Sequence, residues 1–568
     1  MASAVLFLVS LGKWSDPIID SGSEWMYADS LARGQLLYRD VVYWFGPFTP
    51  YFQSIFLRVF GSSFVSLVIS GIVGSLGTLA ALYWALRRVS GRREAFLWTA
   101  LAIPVLIFMP NSGGAILGMG YRSWHPASFS LLAVACAAAI DRRSAVPRAV
   151  LVGTLCAFAG LSRTEWGLMA LAGAVVAFAF SRDGRSLWLR SAGLAAAVAV
   201  LEFSAAVALF VGLAGKQAVL DDGNILLTAV SPETRRFLVA FSHIREWPRG
   251  LAELAYSAAV WSAAILLCLW IALRPRVQRS SGFRAALAVT AGVAGIAAFA
   301  GGAGNAVFFS AAPLVCFLAL GVGALRRGRP RAAALGGFGL LGLLAAHRRP
   351  FHIGDTPYVA PQLLFAFTCL AGLLHVLTLT VARKGPDERR RLMRVARTAL
   401  SLLLVAAFAA RMSQYASAER TWIPGTGRML TASEQTARDI AATAEAVRAA
   451  GPRVSTLVVF PEGQVLNFLT EKPNPLRQKL YIPGYLQASN EPQLLDDLRR
   501  TRPDAIVLWP RPTEEYGAAE FGIDYGRDVL AWIEQNYAVS PIPSSRGRAR
   551  LYLRSPDPRS PDVPGALH

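Results

Sequence analysis

Long apolar blocks separated by short basic linkers are the feature of this sequence that most restricts its fold. The blocks are continuous and follow neither an alternating nor an amphipathic pattern, which is typical of helices that face lipid. Only 16% of the residues are charged, whereas an average soluble domain has about a quarter. The sequence therefore predicts a polytopic α-helical membrane protein. It excludes a soluble multidomain enzyme, a disordered chain and a secreted disulfide scaffold.

The apolar blocks predict about thirteen transmembrane helices. The predicted spans lie near residues 1–14, 62–86, 94–110, 126–140, 149–163, 166–181, 192–213, 251–273, 285–302, 306–325, 332–346, 361–382 and 398–411. Together they define a transmembrane domain over residues 1–411, followed by a soluble domain over residues 412–568.

The net charge of +21 indicates membrane orientation, because the excess lies in six short linkers. The linkers hold 25 Lys and Arg residues but four acids, and they lie at residues 87–93, 141–148, 182–190, 274–284, 326–331 and 383–397. Short loops rich in Lys and Arg stay in the cytoplasm. We therefore predict a bacterial inner-membrane protein with no nucleic-acid partner. Its long polar loops and its C-terminal domain would lie on the periplasmic side.

The first outer loop, residues 15–51, has the densest set of polar and aromatic residues. Ser21-x-x-Glu24 predicts a capping box that begins a short helix, and Gly34 predicts the end of that helix. An apolar stripe predicts that the helix lies flat on the membrane surface. Asp20 would sit just before the helix N-terminus, where backbone N–H groups and the helix dipole favour an ionised carboxylate.

A carboxylate at this depth is suited to accept a proton from a hydroxyl nucleophile. We therefore predict Asp20 as the general base, with Glu24 either in the chemistry or only a cap partner. Asp40 follows Arg39, which leaves a loop ion pair as its alternative role. Tyr43 is a further candidate in the same loop.

The loop resembles that of the GT-C superfamily, the polytopic glycosyltransferases that use lipid-phosphate sugars, including the protein O-mannosyltransferases and aminoarabinose transferases. The resemblance lies in an acidic residue after the first span, a short helix, and then Gly-x-x-Leu-Tyr-Arg-Asp and Tyr-x-x-Gly-Pro at residues 34–40 and 43–47. It implies that Asp20 is the catalytic aspartate of the loop and that the sugar carbon is inverted. Many members have an adjacent Asp-Glu pair, whereas here the acids are spaced as Asp20 and Glu24.

Three other outer loops supply candidate groups for binding a phosphate. Arg122 could hold an oxyanion through its forked donors, with His125 close by in sequence; its alternative role is that of an arginine that snorkels to the membrane interface. Arg163 and Glu165 lie in a tight turn between two spans, where a charge needs a partner or a cavity. Their alternative role is a mutual ion pair that marks the turn, although the resemblance implies a pair facing the active-site cavity.

The loop at residues 347–358 has consecutive arginines on the outer side, against the positive-inside bias. An anionic lipid phosphate would account for Arg348 and Arg349. His347 and His352 leave a divalent metal open, but their spacing fits no standard metal site. We therefore assign no metal ligand and no certain cofactor.

From residue 412 the sequence alternates helical stretches with short apolar strands, which predicts a small α/β domain with a parallel sheet. We predict helices near residues 432–450, 491–500 and 527–536, and strands near 454–460, 505–509 and 550–553. The domain has no recognisable catalytic motif. An acceptor-binding role and a purely structural role are both open.

Taken together, these features predict a membrane glycosyltransferase that moves a sugar from a polyprenyl-phosphate donor to an acceptor hydroxyl on a glycan, lipid or protein. Some of the four arginines would hold the donor phosphate. The alternatives are a transporter or flippase for a lipid-linked or anionic solute and a non-catalytic partner in cell-envelope assembly. A transporter would place charged groups within the spans, and Glu202 is the clearest such residue.

Overall fold

The computed structural model describes most of the chain outside a long central stretch. The described residues are 1–110, 114–117, 121–179, 185–222, 330–346, 363–381, 386–486, 490–542 and 549–554, with a few single positions between 248 and 361. All structural statements below concern these residues.

The described segments before the C-terminal region consist of helices joined by loops. Its helices are α1 (Ala2–Ser10), α2 (Gly22–Ala32), α3 (Phe48–Phe60), α4 (Phe64–Val89), α5 (Arg92–Ala102), α6 (Tyr121–Ala137), α7 (Ala145–Ser162), α8 (Thr164–Ala179), α9 (Arg185–Ala214), α10 (Lys216–Asp222), α11 (Pro330–Ala346), α12 (Leu363–Val381) and α13 (Pro386–Ala416). Two short π-helical turns, Pro17–Ser21 and Ile103–Ile107, precede α2 and follow α5.

Four described helical stretches are long and apolar enough to cross a membrane. They are Phe64–Val89, Ala145–Ser162, Leu187–Ala214 and Met393–Ala416. Shorter apolar helices include Thr164–Ala179 and Leu363–Gly372. The predicted membrane-protein class is therefore confirmed. The count of thirteen spans stays a prediction, because those at 251–273, 285–302 and 306–325 lie outside the described residues.

The helices of the first outer loop differ from the prediction in two ways. Helix α3 covers a segment that was not predicted to be helical. Helix α2 does not lie on a membrane surface: all of its residues from Gly22 to Leu31 are buried, and it packs against α3 and against a helix of the C-terminal region. Its apolar stripe is therefore covered by protein.

The C-terminal region contains helices α14 (Glu434–Ala449), α15 (Val465–Thr470), α16 (Glu491–Thr501) and α17 (Arg527–Asn536). A two-residue pair, β1 (Thr421–Trp422) and β2 (Thr431–Ala432), precedes the main strands β3 (Leu457–Phe460), β4 (Ala505–Leu508), β5 (Tyr537–Ser540) and β6 (Arg550–Arg554). The predicted α/β class and the three predicted helices are confirmed.

The main sheet has the order β3-β4-β6-β5. Strands β3 and β4 are parallel, whereas β6 pairs antiparallel with both β4 and β5. The prediction of a parallel sheet is therefore wrong for its second half. Strand β5, which was not predicted, follows directly after α17 and forms a hairpin-like pair with β6.

Both faces of this sheet are covered. Side chains alternate across a strand, so Leu457 and Val459 of β3 join a core that continues into the helical region, at Leu6 of α1 for example. Val458 and Phe460 instead join a second core with residues of α16 and α17. The C-terminal region is therefore packed onto the helical region over a shared apolar contact. The domain boundary at residues 411 and 412 stays a prediction.

Candidate active site

Asp20 lies in the π-helical turn that introduces α2. Asp16 begins the turn, because its Oδ1 accepts hydrogen bonds from the N–H groups of Ile18 and Ile19 at 2.8 and 3.1 Å. The Asp20 N–H donates to the Asp16 carbonyl oxygen at 3.1 Å. This local bonding holds Asp20 in a fixed turn, and its side chain is buried, with 5% of its surface exposed.

The predicted capping box is wrong. Ser21 has helical backbone angles and makes no capping hydrogen bond from its side chain; its hydroxyl contacts the Ser15 hydroxyl instead. Asp16 provides the capping oxygen one turn earlier, because the π-helical turn adds residues before α2. Glu24 lies in the first turn of α2 and is buried, and its role stays a prediction.

The end of α2 is as predicted. Gly34 has a φ of +90°, a conformation that glycine adopts without a steric penalty. Its N–H donates to the Leu31 carbonyl oxygen, and the Gln35 N–H donates to the Ser30 carbonyl oxygen, both at 3.1 Å. This pair of bonds is the Schellman motif. It turns the chain sharply toward residues 36–47.

Residues 36–45 form a compact loop that contacts the C-terminal region. Asp40 accepts a hydrogen bond from the Leu36 N–H at 2.8 Å and pairs with exposed Arg39 at 2.8 Å. These contacts lower the pKa of Asp40, the hydrogen-bonded Arg39 guanidinium being the largest cause. Arg477 of the C-terminal region donates to the carbonyl oxygens of Tyr38 and Arg39, each at 2.8 Å. The side chains of Asp40 and Arg39 therefore form the ion pair that was the alternative prediction for Asp40.

Tyr43 is buried and packs edge-to-face on Tyr27 of α2, with ring centroids 4.9 Å apart. Next to it, Trp44 stacks on Tyr485 of the C-terminal region. The aromatic residues of the loop thus connect α2 to the C-terminal region. Tyr43 as a site residue stays a prediction.

Arg163 lies between α7 and α8 and reaches the end of the same loop. Its Nε donates to Glu165 at 2.8 Å and its Nη1 donates to the Ser123 hydroxyl at 3.2 Å. Its guanidinium carbon lies 5.1 Å from the centre of the Phe45 ring. The predicted Arg163–Glu165 pair therefore exists, and it touches both the first outer loop and the start of α6. The acid, the hydroxyl group and the aromatic ring around Arg163 orient its planar guanidinium group.

His125 is buried on α6 with its Nδ1 3.0 Å from the Thr49 hydroxyl oxygen. Its ring packs edge-to-face on Phe48 and Phe52 of α3. These contacts place it at the junction of α3 and α6. Arg122 belongs to the first turn of α6, next to Ser123, but its side chain lies outside the described part. Its role stays a prediction.

The remaining predicted site residues cannot be placed. His347, Arg348, Arg349 and His352 lie outside the described residues, and so does the metal alternative that depends on the two histidines. Among the residues that the structure describes, no group of three or more His, Cys, Asp or Glu side chains is arranged to hold a metal ion. That Asp20 shares one cavity with the phosphate-binding arginines stays a prediction.

A buried ion pair of the C-terminal region lies in the segment next to the one that packs against the Asp20 turn, which the sequence did not predict. Glu462, just after β3, is 1% exposed, and its Oε2 accepts from Arg511 Nε at 2.7 Å. Burial raises the pKa of the Glu462 carboxyl well above its usual range, Arg511 opposes that rise, and the negative charge of Asp20 adds to it. Glu462 lies two residues before Gln464, whose backbone closely approaches Gly22 next to the Asp20 turn.

The backbones of the two regions approach each other closely at this point. A Cβ atom added to Gly22 would lie 2.4 Å from the Val465 nitrogen and 3.0 Å from the Gln464 carbonyl carbon. Only glycine fits there without moving the backbone. In the sequence, Pro461-Glu-Gly indicates a loop just before the contacting residues, but it does not indicate which segment that loop packs against.

A separate cleft of about 220 Å³ lies farther along α2, between that helix and residues 467–474. Asp29 and Arg33 line it from α2, and Lys472 and Asn474 line it from the C-terminal region. Asp29 pairs with Arg33 at 2.7 Å and accepts from the Ser62 hydroxyl at 2.5 Å. The cleft is therefore distinct from the surroundings of Asp20.

Comparison with known proteins identifies the fold. No protein-family model and no curated protein matches the sequence. The structure of ArnT from Cupriavidus metallidurans bound to undecaprenyl phosphate is similar over 97% of this chain and 96% of that chain, with a TM-score of 0.53 and 12% sequence identity. The archaeal oligosaccharyltransferase AglB from Archaeoglobus fulgidus, in complex with an inhibitory peptide and a dolichol-phosphate, aligns with 98% of this chain and 73% of that chain, with a TM-score of 0.47 and 13% identity.

The likeness to ArnT extends over nearly the whole of both chains, so it includes the helical region and the C-terminal α/β region together. At this level of identity it establishes the architecture. The chain therefore has the fold of the GT-C glycosyltransferases, as the motif in its first outer loop predicted.

Proposed function

We propose that this protein is a membrane glycosyltransferase that transfers a sugar from a polyprenyl-phosphate donor to an acceptor hydroxyl at the periplasmic face. The observation that carries the proposal is a buried carboxylate, Asp20, held in a rigid turn where the first outer loop meets the C-terminal region. The fold shared with ArnT, whose structure contains undecaprenyl phosphate, supports the class of donor. The acceptor would be a glycan, a lipid or a protein.

In the proposed reaction Asp20 accepts the proton of the acceptor hydroxyl while that oxygen attacks the anomeric carbon of the sugar. The bond between this carbon and the phosphate oxygen breaks, and the polyprenyl phosphate leaves with its electron pair. A leaving phosphate is already anionic, so it needs electrostatic stabilisation more than a proton. Attack opposite the leaving group would invert the sugar carbon.

Arg163 is the described arginine best suited to meet the donor phosphate. It already contacts residues of three elements: the first outer loop, α6 and α8. Arg122, Arg348 and Arg349 are the other proposed phosphate ligands. A guanidinium binds a phosphate through two parallel N–H groups, which would fix the sugar carbon relative to the acceptor oxygen.

The test is the Asp20→Asn variant, assayed in membranes supplied with radiolabelled polyprenyl-phosphate hexoses and pentoses. Asparagine keeps the shape of the side chain but cannot accept the proton, so we expect transfer to fall by about 10²-fold or more. Asp141→Asn is the matched control, since Asp141 is an exposed carboxylate on a basic linker. Wild-type transfer by Asp20→Asn would exclude Asp20 as the base.

A lipid or solute transporter would give a different result. It would move the labelled lipid across the membrane without forming a new glycosidic product, and it would use charged groups within the spans. Glu202 of α9 accepts a hydrogen bond from Thr154 of α7 at 2.8 Å. This contact joins two packed helices, so we favour the transferase.

A further inference from the structure

The parallel strands β3 and β4 bring two charged residues of the C-terminal region together at one edge of their sheet. Phe460 of β3 pairs in register with Leu508 of β4, and the Trp509 N–H donates to the Phe460 carbonyl oxygen at 2.7 Å. The chain segments after these strands carry Glu462 and Arg511. Because the carboxyl ends of parallel strands open at the same edge of a sheet, the two side chains meet there.

The helix that follows β3, α15, is held against the turn that carries Asp20. The close backbone contact between Gly22 and Val465 fixes the distance between the two regions. Helix α15, which begins at Val465, packs on both α2 and the π-helical turn. Glu462 lies three residues before this helix, so the same packing places its segment at the junction with the turn of Asp20.

The resulting group has two buried carboxyl groups and one guanidinium. Asp20 is 5% exposed and Glu462 is 1% exposed, while Arg511 donates to Glu462 at 2.7 Å. Two carboxylates that share a buried site resist simultaneous ionisation. A guanidinium beside one of them offsets that repulsion.

Other charged and titratable groups face this ion pair. Glu515 also pairs with Arg511 but is half exposed, and the Tyr516 ring lies 5.8 Å from the Arg511 guanidinium carbon. Burial raises the pKa of the Tyr525 phenol, with Glu462 adding to that rise. Arg511 is the cation that is in contact with Glu462 in the described structure.

We propose that Glu462 and Arg511 are positioning residues for Asp20: Arg511 offsets the charge repulsion between Glu462 and Asp20, so that the C-terminal region sets the pH range in which Asp20 accepts a proton. The catalytic part of this inference rests on the proposed function. The electrostatic part concerns three residues of the folded chain and is testable without a substrate.

The first test is the pH dependence of sugar transfer by the full-length protein in membranes. Arg511→Gln leaves two carboxyl groups without their cation, so one of them retains its proton to higher pH. We therefore expect the acidic limb of the pH–rate profile to move to higher pH by about one pH unit. Glu462→Gln removes the negative neighbour and keeps the cation, so we expect the limb to move down. Glu534→Gln, an exposed carboxylate of the same region, should leave the limb in place.

A purely structural role predicts a different pattern. Both variants would then lower the rate at every pH without moving the limb in opposite directions, and that result would overturn the proposal. If wild-type membranes transfer none of the radiolabelled sugars, the proposed function is in question, and the second test decides the electrostatic inference by itself.

The second test measures thermal unfolding of the purified full-length protein in detergent between pH 5 and pH 8. In Arg511→Gln we expect the unfolding temperature to fall more steeply with rising pH than in the wild type, because two buried carboxyl groups lose their protons without a cation. Adding Asp20→Asn should remove most of that extra slope, since one of the interacting charges is gone. An unchanged slope in the double variant would mean that Asp20 and Glu462 are not coupled, and the proposal would fail even in an active enzyme.

Discussion

Trp44 of the first outer loop stacks on Tyr485 of the C-terminal region, with ring centroids 3.8 Å apart and ring planes 8° from parallel. The same apolar cluster contains Tyr516, whose ring faces the Arg511 guanidinium. The stack therefore leads from the loop to the ion pair beside Asp20. It fixes one side of the contact between the two regions of the chain.

We expect Trp44→Ala to loosen this contact. Trp44 is almost fully buried, and removing a buried aromatic side chain typically costs about 3–5 kcal/mol. The unfolding temperature of the purified protein should fall, and limited proteolysis should cut first near the junction. Trp44→Phe keeps a ring and should lose less. Equal stability in Trp44→Ala and the wild type would show that the stack does not hold the regions together.

Gly22→Ala tests the close backbone contact next to Asp20. Gly22 has helical backbone angles, so alanine would be more favourable than glycine there if the neighbouring atoms left room for it. The added methyl group would instead collide with the Val465 nitrogen, and we expect the C-terminal region to shift away from the turn. The measurement is unfolding temperature together with the rate of sugar transfer.

Gly77→Ala is the matched control for this substitution. Gly77 lies in α4, and a Cβ atom there would meet nothing within 4 Å. The control should be neutral or more stable by up to about 1 kcal/mol. A Gly22→Ala variant as stable and as active as this control would contradict the contact.

The sequence predicted what depends on local pattern. Apolar blocks indicated the helices, Gly34 indicated the end of α2, and the Arg39–Asp40 neighbours indicated an ion pair. Each of these follows from residues within a few positions of one another. The fold class was predictable in the same way, because the residues of the first-loop motif are close together in the sequence.

What the sequence did not predict depends on contacts between distant segments. Glu462 comes to the junction with the Asp20 turn only because α15, the helix that follows β3, packs on the π-helical turn. The face of α2 that was expected to meet lipid is instead covered by α15 and α3. The antiparallel pairing of β6 was not predicted, because the sequence pattern of a short apolar strand does not distinguish parallel from antiparallel pairing.

Arg163→Lys tests the proposed phosphate contact. Lysine keeps the charge but not the planar fork, so the bonds to Glu165 and Ser123 cannot both be kept in their present geometry. If Arg163 holds the donor phosphate, we expect the KM for the polyprenyl-phosphate sugar to rise about tenfold, the loss of roughly one charge-assisted hydrogen bond. Arg142→Lys, on an exposed basic linker, serves as the control. An unchanged KM in Arg163→Lys would remove it from the phosphate site.

Asp504 makes the C-terminal region sensitive to acid. Its Oδ2 accepts from the N–H and hydroxyl groups of Ser455 at 2.9 and 2.6 Å and from those of Thr456 at 3.1 and 3.0 Å, and Arg554 pairs with its Oδ1 at 3.0 Å. Burial alone would raise the pKa of this carboxyl, but the hydrogen bonds and the nearby guanidinium outweigh it and lower the pKa. These contacts tie the start of β3 to the start of β4.

A pKa that is lower in the folded state gives stability above the unfolded pKa of aspartate, about 3.9, and that stability is lost as the pH falls through the folded value. We therefore expect Asp504→Asn to cost about 2 kcal/mol at pH 7. The difference from the wild type should shrink as the pH is lowered below about 4. Thermal unfolding of the full-length protein in detergent, at a series of pH values, measures this difference. Asp496→Asn, a mostly exposed aspartate of the same region, should show a much smaller difference, and a penalty for Asp504→Asn that grew on acidification would reverse the assigned sign.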